Sequence, residues 1–585
     1  MAIFTYQTVA AMQQPPVGAL PSPGDVAIVA GYHIYDDDGG GTFRLEVPTG
    51  PYADRIDEGM VFDCVNSDTD TRIGVWRRID QGPVRTAWYG IGNVRANGAT
   101  TVTVSQTAAQ IERAINAAGF GGVVVFSGTI TLDRTVHIPT TTQLKGEGEG
   151  WDRPLIKAGE NLKVMFTRAS STRIWVTGIS FEGWIDGNAA LPAGISTSVN
   201  GYGARTIGFV LCNTTNRADL DSEFAFCRFY NMRMGIVGFG RNFLVTRTHF
   251  SSCRYGIVIH PAAVSTTTDV TIRGFNFIAN RFHGCGGPRQ QADVVLTSSV
   301  TAQDTGLGPF EVGDIVVYRA GTAPTGLKDN VLYVVGADGV LYDRASPNMY
   351  IIQEESEENE EESDETPEPI DPQAITPEAW GAVAQTFQTV SGGGLFDRSS
   401  TCIMVAGLSD ALKGGLIADC YADDCRRFYH GPMGDMRITG VTGYRGYETL
   451  VETVPEGTPT ASKAINGAIT NCQWTCDLAS PTTYRHGPAI LIHGSGVQVS
   501  NNLIANSVEH GLYVRADDCQ VTGNIVRRSG TAAAPFPGIR VTGTGCLIDG
   551  NLIDGYEGAP GLDLPSPTTS MVGTNRIAAY PAGTT

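Results

Sequence analysis

The sequence lacks the features that mark membrane proteins and most metal or nucleotide enzymes. It has no apolar run of 18 residues and no basic, apolar leader, so we expect neither a membrane span nor a signal peptide. Its twelve cysteines include no Cys-x-x-Cys pair, and its nine histidines show no metal-ligand spacing. His-Glu-x-x-His, phosphate-loop and Gly-x-Ser-x-Gly sequences are missing as well. These absences predict no metal, no cofactor, and buried unpaired cysteines in a protein made in a reducing cytoplasm.

Positive charge is also scarce, because 6 lysines and 35 arginines face 60 acidic residues, which gives a net charge of −19. Such a balance disfavours nucleic acid and anionic membranes as partners. Eleven of the acids lie between residues 354 and 371 without a single base, and this run cannot bury enough apolar surface to order itself. We therefore predict a disordered acidic linker over residues 353–375, with only eight net negative charges outside the run.

The C-terminal part of the sequence repeats a short frame in which an asparagine separates two apolar triplets. Asn502, Asn524 and Asn551 occupy this position at spacings of 22 and 27 residues, and Asn575 follows 24 residues later. Glycine is abundant, at 72 of 585 residues, as expected for a chain with many turns. A period of 20–30 residues with short alternating strands predicts an all-β solenoid, a parallel β-helix. Equivalent residues then stack about 4.8 Å apart, so the asparagines are predicted to form a structural hydrogen-bonded ladder.

One helix precedes the repeats, over residues 107–118. Ile111 and Ile115 lie on one face of it, and Gly119 follows as a C-terminal stop. Four β-like segments of three to five residues come next, separated by two to four turn residues: 123–126, 129–132, 136–139 and 143–146. This spacing is too short for βαβ units, and it favours a sheet that turns corners with a helix covering one end.

Breaks in this pattern suggest six segments. The repeat stops near Asp293, where a small β unit interrupts it, and an excursion of this kind is typical of a loop on one face of a solenoid. The predicted segments are an N-terminal β-rich domain (1–95), a capping helix with the first turns (96–150), β-helix (151–292), an inserted small β domain (293–352), the linker (353–375), and the β-helix continuation (376–585).

Residues 24–150 resemble the beginning of the pectate-lyase-like β-helix family found in bacteriophage tailspikes. The matching stretches are Gln110–Ala118, Gly121–Val125, Gly128–Ile130, Ile138–Pro139 and Leu144–Gly148, preceded by Gly40–Arg44, Trp76–Val84 and Trp88–Gly90. The Gly-Asp-Gly-x-x-Asp-Asp-Thr segment usual in that family is absent, and residues 91–105 take its place.

The resemblance implies a right-handed β-helix in a homotrimer, part of the phage virion and made in the host cytoplasm. It also implies an N-terminal domain that attaches to phage tail or portal and adaptor proteins, and a surface that engages host polysaccharide. The later repeats match in pattern only, and this scaffold carries lyases, hydrolases and inactive binders, so the reaction is not implied.

Cleavage of a glycan requires either two carboxyl groups or a base that faces an acidic proton. Retaining hydrolases hold the two carboxyl groups about 5–5.5 Å apart, and inverting ones about 6.5–9.5 Å apart. Stacked turns of a β-helix supply such distances. Three groups of acids are candidates for catalysis: Asp219, Asp221 and Glu223; Asp419, Asp424 and Glu448, with Asp423, Asp435 and Glu452 nearby; and Glu509 beside His510. The candidates for binding substrate are Arg228, Arg254, Trp184, His430, His493 and Arg515.

Two functions remain open at this point, namely a depolymerase that cleaves the glycan and an adhesin that binds without cleaving. A purely structural virion component is a third. Paired acids favour hydrolysis over elimination, although Asp219, Asp221 and Glu223 with Arg254 also resemble a calcium-dependent lyase arrangement. Solvated acidic faces and structural histidine–carboxylate contacts are the alternatives for each group.

Overall fold

The structure is a computed structural model. It describes residues 1–16, 18–34, 37–47, 56–80, 82–91, 107–148, 150, 152–168, 172–185, 204–211, 222–239, 242–260, 272–285, 315–319, 332–335, 341–342, 382–384, 394–397, 401–405, 412–453, 467–476, 487–530, 535–556, 559–565 and 569–580. The chain divides into two compact units, Met1–Glu182 with Ser222–Arg228, and Gly183–Asp221 with Phe229–Thr585. Within these ranges no helix is long and apolar enough to cross a membrane.

Three parallel sheets of fourteen, thirteen and twelve strands make up most of the chain. Sheet I consists of Val84–Arg85, Gly122–Phe126, Thr142–Gly146, Ile174–Thr177, Ser222–Ala225, Phe243–Thr246, Ile272–Ile278, Leu412–Ala418, Met436–Thr439, Ala468–Thr470, Gln498–Ser500, Gln520–Thr522, Leu547–Asp549 and Met571–Val572. Sheet II consists of Thr129–Leu132, Leu155–Ala158, Ser180–Glu182, Arg228–Tyr230, His249–Ser251, Arg281–His283, Tyr421–Asp423, Thr442–Gly446, Gln473–Cys476, Leu503–Ala505, Ile525–Arg527, Leu552–Tyr556 and Arg576–Tyr580. Sheet III consists of Val136–Ile138, Val164–Arg168, Ile207–Leu211, Met234–Phe239, Tyr255–His260, Thr401–Val405, Arg427–Gly431, Thr449–Thr453, Ile490–Ile492, Leu512–Val514, Ile539–Val541 and Leu562–Asp563.

This arrangement confirms the predicted right-handed parallel β-helix. Each turn contributes one strand to each sheet, because consecutive strands of the chain pass from sheet I to sheet II to sheet III. Sheet II strands such as His249–Ser251 bury only their central residue, as a sheet with one solvated face does. Sheet III strands such as Arg427–Gly431 and Thr449–Thr453 are buried at every position. Polar side chains on the outer face of these two strands are therefore shielded from water.

The corner between sheets I and II explains the asparagine ladder and three of the eleven described cysteines. It is two residues long, and its first residue is left-handed, for example Asp419 at φ +53° and Asn501 at φ +57°. The second residue points inward and donates a hydrogen bond to a carbonyl of the preceding turn. Asn524 Nδ2 donates to the carbonyl of Val499 at 2.9 Å and to Asn551 Oδ1 at 3.0 Å, as the predicted ladder requires. Cysteines fill the same position in other turns.

The eleven described cysteines are all unpaired and buried, as predicted. Cys420 Sγ, for example, donates to the carbonyl of Phe277 at 3.6 Å, so its thiol makes the hydrogen bond that the asparagine side chain makes in other turns. Burial raises the pKa of Cys227 and of Cys420 to about 12, which keeps both thiols protonated as donors.

The first unit begins with a five-stranded sheet of Ile3–Thr8, Val26–Gly31, Gly41–Glu46, Thr71–Arg78 and Val61–Asn66, in that order. Two short helical segments, Val9–Gln13 and Thr86–Tyr89, accompany it. The predicted helix is present at Thr107–Ala118, with Ile111 and Ile115 fully buried. Its first turn is capped from outside, because Asp133 Oδ1 accepts the amide hydrogen of Ala108 at 2.8 Å.

A second five-stranded sheet, antiparallel throughout, interrupts the β-helix of the second unit. Its strands are Ala382–Ala384, Leu341–Tyr342, Leu332–Val335, Ile315–Arg319 and Gly394–Asp397, in that order. Two of these strands follow the acidic run in sequence, and the next strand of sheet III is Thr401–Val405. The domain boundaries stay a prediction, and the linker lies outside the described residues.

Candidate functional site

Two consecutive turns of the second unit carry ionisable residues of opposite charge at matching positions. Three pairs are each separated by 22 residues: Asp423 with Arg445, Arg426 with Glu448, and His430 with Glu452. Equivalent residues on neighbouring turns lie about 4.8 Å apart, so each acidic side chain meets a basic one from the adjoining turn. The three pairs form two groups that differ in exposure.

The first group, which we call the surface group, consists of His283, Asp423, Asp424, Arg445 and Tyr447. Arg445 Nη2 lies 3.0 Å from a carboxylate oxygen of Asp423 and 3.0 Å from one of Asp424. His283 Nδ1 lies 3.4 Å from Asp423 Oδ2, and the Tyr447 hydroxyl donates to Asp424 Oδ1 at 2.8 Å. The side chains of His283 and Arg445 are 44% and 43% exposed, so a large ligand can reach them.

Strand register and corner geometry position the surface group. His283 and Asp423 are register partners at the ends of adjacent sheet II strands. Asp424 and Arg445 occupy left-handed corner positions, at φ +54° and +50°. Hydrogen bonding to Asp423 raises the pKa of Arg445, and the nearby charge of Asp424 adds to this effect. A permanent cation is therefore fixed beside both carboxylates.

The second group, which we call the buried group, consists of Arg426, Arg427, His430, Glu448 and Glu452. Arg426 Nε donates to Glu448 Oε2 at 2.7 Å, and Arg427 Nη2 donates to Glu448 Oε1 at 2.8 Å. His430 Nδ1 lies 3.8 Å from Glu452 Oε2. All five side chains are at most 6% exposed. A polysaccharide cannot touch them in this conformation.

Aromatic rings with basic neighbours border the surface group. The guanidinium carbon of Arg281 lies 5.3 Å from the ring centroid of Tyr421, and that of Arg445 lies 5.6 Å from the ring of Tyr444. Tyr444 is 55% exposed. Exposed aromatic faces beside hydrogen-bonding side chains are suited to the apolar faces and hydroxyl edges of sugars.

Among the described residues, two sets of side chains have donor atoms close enough to hold a metal ion. His283, Asp423 and Asp424 have one ligand atom each within 4.8 Å of the others, but the Arg445 cation already forms ion pairs with both carboxylates. The other set is Cys285, Cys402 and Cys425. The Cys425 thiol donates to the carbonyl of Asp423 at 3.3 Å, and carbonyl oxygens around the sulfur would repel a thiolate. Neither set fits a bound cation.

The first predicted group lies only partly within the described residues. Asp219 and Asp221 lie outside them. Glu223 is half-buried in sheet I, where it is the register partner of Trp175. The binding candidates of this region, Arg228 and Trp184, are both half-buried, and their roles stay predictions.

The second predicted group is the one that the structure brings together, in part. Asp424 belongs to the surface group, whereas Glu448 and His430 belong to the buried group. Asp419 stands apart in the corner between sheets I and II, with an exposed side chain. Arg254 is buried directly before a sheet III strand, two turns before Arg426.

The third predicted group lies in later turns of the β-helix. Glu509 is half-buried, and the amide of His493 donates to Thr453 Oγ1 at 2.6 Å. Arg515 is exposed, with its guanidinium carbon 4.6 Å from the ring centroid of Tyr513. None of these three residues touches the surface group through a described contact.

Sequence reasoning missed His283 and Arg445. His283 is separated from Asp423 by the inserted domain, so no local spacing connects the two residues. A signal existed for Arg445, because the 22-residue spacing between Asn502 and Asn524 also separates Asp423 from Arg445. Searching for opposite charges at that spacing would have found all three ion pairs.

No protein-family model matches this sequence, and no curated protein does. Solved structures with detectable similarity to this chain include the tailspike protein of Acinetobacter baumannii phage AM24, with 12% identity, a TM-score of 0.36, and coverage of 96% of this chain and 63% of that one. A glycan biofilm modifying enzyme of Pantoea stewartii, with a bacteriophage tailspike-like parallel β-helix fold, has 10% identity, a TM-score of 0.39, and coverage of 86% and 46%. The A-module of a mannuronan C-5 epimerase from Azotobacter vinelandii has 13% identity, a TM-score of 0.35, and coverage of 83% and 94%. Function has to be argued from the residues of this chain.

Proposed function

We propose that this chain is a phage tailspike that binds a polysaccharide of the host cell surface and hydrolyses it at the surface group. One observation carries this proposal. His283, Asp423, Asp424 and Arg445 form a solvent-accessible cluster of proton-exchanging and charged groups on the outer face of a β-helix. The resemblance of residues 24–150 to tailspikes supports the source, the homotrimer, and the attachment of residues 1–95 to the phage tail.

Binding is assigned to the rings and guanidinium groups that border the cluster. Tyr444 offers an exposed aromatic face, and Arg281 is exposed beside Tyr421. Sugar rings stack on such faces, while the arginine donors bind hydroxyl or carboxylate oxygens. The outer face of sheet II around Arg281–His283 and Thr442–Gly446 is thus the proposed groove floor.

The chemistry requires one group that gives a proton to the leaving oxygen and one carboxylate that attacks or activates water. His283 is suited to the first role, because Asp423 faces its Nδ1 and leaves Nε2 for substrate. Asp424 is suited to the second role, because Arg445 and Tyr447 hold its carboxylate in place. The ligand atoms of these residues lie within 4.8 Å of one another, so both side chains can reach the same glycosidic bond.

An adhesin that binds without cleaving is the second candidate. It is favoured by Arg445, which bridges both carboxylates and so occupies oxygens that would otherwise attack or activate water. In that case the surface group is a recognition site, and His283 contributes hydrogen bonds only. The residues of the first and third predicted groups stay proposals for further contacts with the glycan.

The test is to incubate the purified protein with surface polysaccharide from bacteria to which it adsorbs. New reducing ends indicate hydrolysis, and the ultraviolet absorbance of an unsaturated uronate indicates elimination. We expect His283→Gln and Asp424→Asn to abolish product formation, with His137→Gln and Asp518→Asn as matched controls. His137 is an exposed histidine of the first unit, and Asp518 is an exposed left-handed corner aspartate, so neither change touches the surface group. Binding without product from the wild type establishes the adhesin instead, and absence of binding overturns the proposal.

A further inference from the structure

A second cluster of aromatic and basic residues lies on the outer face of sheet III in later turns. The register of this sheet aligns Glu452 with Leu491, then with Tyr513, then with Arg540, and then with Asp563, one residue per turn. The neighbours of Tyr513 in its strand, Leu512 and Val514, are fully buried, whereas Tyr513 is half-exposed. The row therefore points outward. Its side chains are buried at Glu452 and Leu491 and half-exposed from Tyr513 onward.

The tyrosine ring holds two guanidinium groups in place. The guanidinium carbon of Arg515 lies 4.6 Å from the Tyr513 ring centroid, and that of Arg540 lies 5.4 Å from it. His510 packs edge-on against the same ring, with centroids 5.2 Å apart. Stacking restricts the rotamers of long arginine side chains, so less entropy is lost when they bind a ligand.

The two arginines differ in what they are free to bind. Arg540 Nε lies 3.5 Å from Asp563 Oδ2, so its charge is already partly matched. Arg515 is exposed, and within the part of the chain that the structure describes no carboxylate forms an ion pair with it. A planar guanidinium with five unshared donors is suited to bidentate recognition of a carboxylate.

We infer that Tyr513, Arg515 and Arg540 form a second saccharide site, which binds an acidic sugar unit through its carboxylate. Arg515 takes the carboxylate, and the Tyr513 hydroxyl and the Asp563 carboxylate take sugar hydroxyls. The inference rests on the proposed function only in that the ligand is a saccharide. The turn of Tyr513 is two turns beyond the turn of Arg445, or about 10 Å along the stack of turns.

The test is calorimetric binding of size-fractionated polygalacturonate and polymannuronate to the full chain, with fully methyl-esterified pectin as the uncharged counterpart. We expect Arg515→Ala to weaken binding of the acidic polymers about tenfold or more, and Tyr513→Leu to do the same because the arginines lose their support. Arg527→Ala is the matched control, because Arg527 is an exposed arginine on sheet II, and it should bind as the wild type does. Binding to the methyl ester should be weak in the wild type and unchanged by Arg515→Ala.

Three outcomes overturn the inference. One is wild-type binding that does not distinguish the acid from its methyl ester. Another is Arg515→Ala binding that equals the control, and the third is no binding of any uronate polymer. The proposed function fails separately, because it depends on host polysaccharide and on His283 and Asp424. Binding of host glycan that Arg515→Ala leaves intact keeps the proposed function and rejects the second site.

Discussion

Removing the Glu448 carboxylate should destabilise the second unit more than removing an exposed acid. The Arg427 side chain is 0% exposed and that of Arg426 is 6% exposed, so Glu448→Ala removes a carboxylate that binds two buried guanidinium groups. Breaking one buried ion pair by deleting a partner costs about 3–5 kcal/mol, and we expect a loss of free energy of unfolding in that range. Urea titration followed by tryptophan fluorescence measures it, since Trp474 is buried and Cys476 two residues later donates to the Glu448 carbonyl at 3.8 Å.

Glu160→Ala provides the control, because Glu160 is exposed in a turn of the first unit and its loss should change stability by less than about 0.5 kcal/mol. Replacing Arg426, Arg427 and Glu448 together by apolar residues removes all three charges at once, and such replacements are often neutral or stabilising. A Glu448→Ala protein as stable as the control would refute the reasoning. A stable triple variant that no longer binds glycan would show that the buried group is kept for function.

Three further predictions concern the core. Burial lowers the pKa of His260 from 6.5 to about 3. The imidazole therefore binds a proton in the unfolded chain at a pH where it stays neutral in the folded chain, and stability is lost as pH falls from 6.5 towards 3. His260 stacks on Phe239 with ring centroids 5.2 Å apart, and His260→Phe keeps an aromatic ring there. The melting temperature of this variant should depend less on pH between pH 7 and 4 than that of the wild type, and an equal dependence would contradict the prediction. Asn524→Ala should lower the free energy of unfolding by about 2–4 kcal/mol. Asn524→Cys should lower it clearly less, because a thiol fills the same corner position in other turns. Equal losses in the two variants would show that the thiol is not an equivalent donor. None of the eleven described thiols should react with a thiol reagent in the native protein, whereas all twelve cysteines should react in urea. Rapid labelling of any cysteine other than Cys212 in the native protein would contradict the burial of these thiols.

The fold could be predicted from the sequence because its signals are local and repeated. The helix at Thr107–Ala118 has its own apolar face and glycine stop, and the asparagine ladder repeats at a spacing that only stacked turns explain. The cysteines were predicted to be buried, but their role as corner donors required the positions of the carbonyl oxygens, for example that of Phe277 beside Cys420.

The candidate site could be predicted only in part. Asp424 and Glu448 were both chosen for their charge, yet the first faces solvent and the second is enclosed by two arginines. Which side chains meet water depends on the strand, because the sheet II strand Tyr421–Asp423 has a solvated position whereas the sheet III strand Arg427–Gly431 is buried throughout. His283 reaches Asp423 across the inserted domain, and a contact of that kind carries no signal in sequence spacing.

The most direct test of the proposed function is a side-by-side measurement of host polysaccharide cleavage by the wild type and by His283→Gln. The wild type should release new reducing ends, whereas His283→Gln should form no product while still binding the glycan. Cleavage by His283→Gln at the wild-type rate would contradict the assignment of the surface group as the catalytic site.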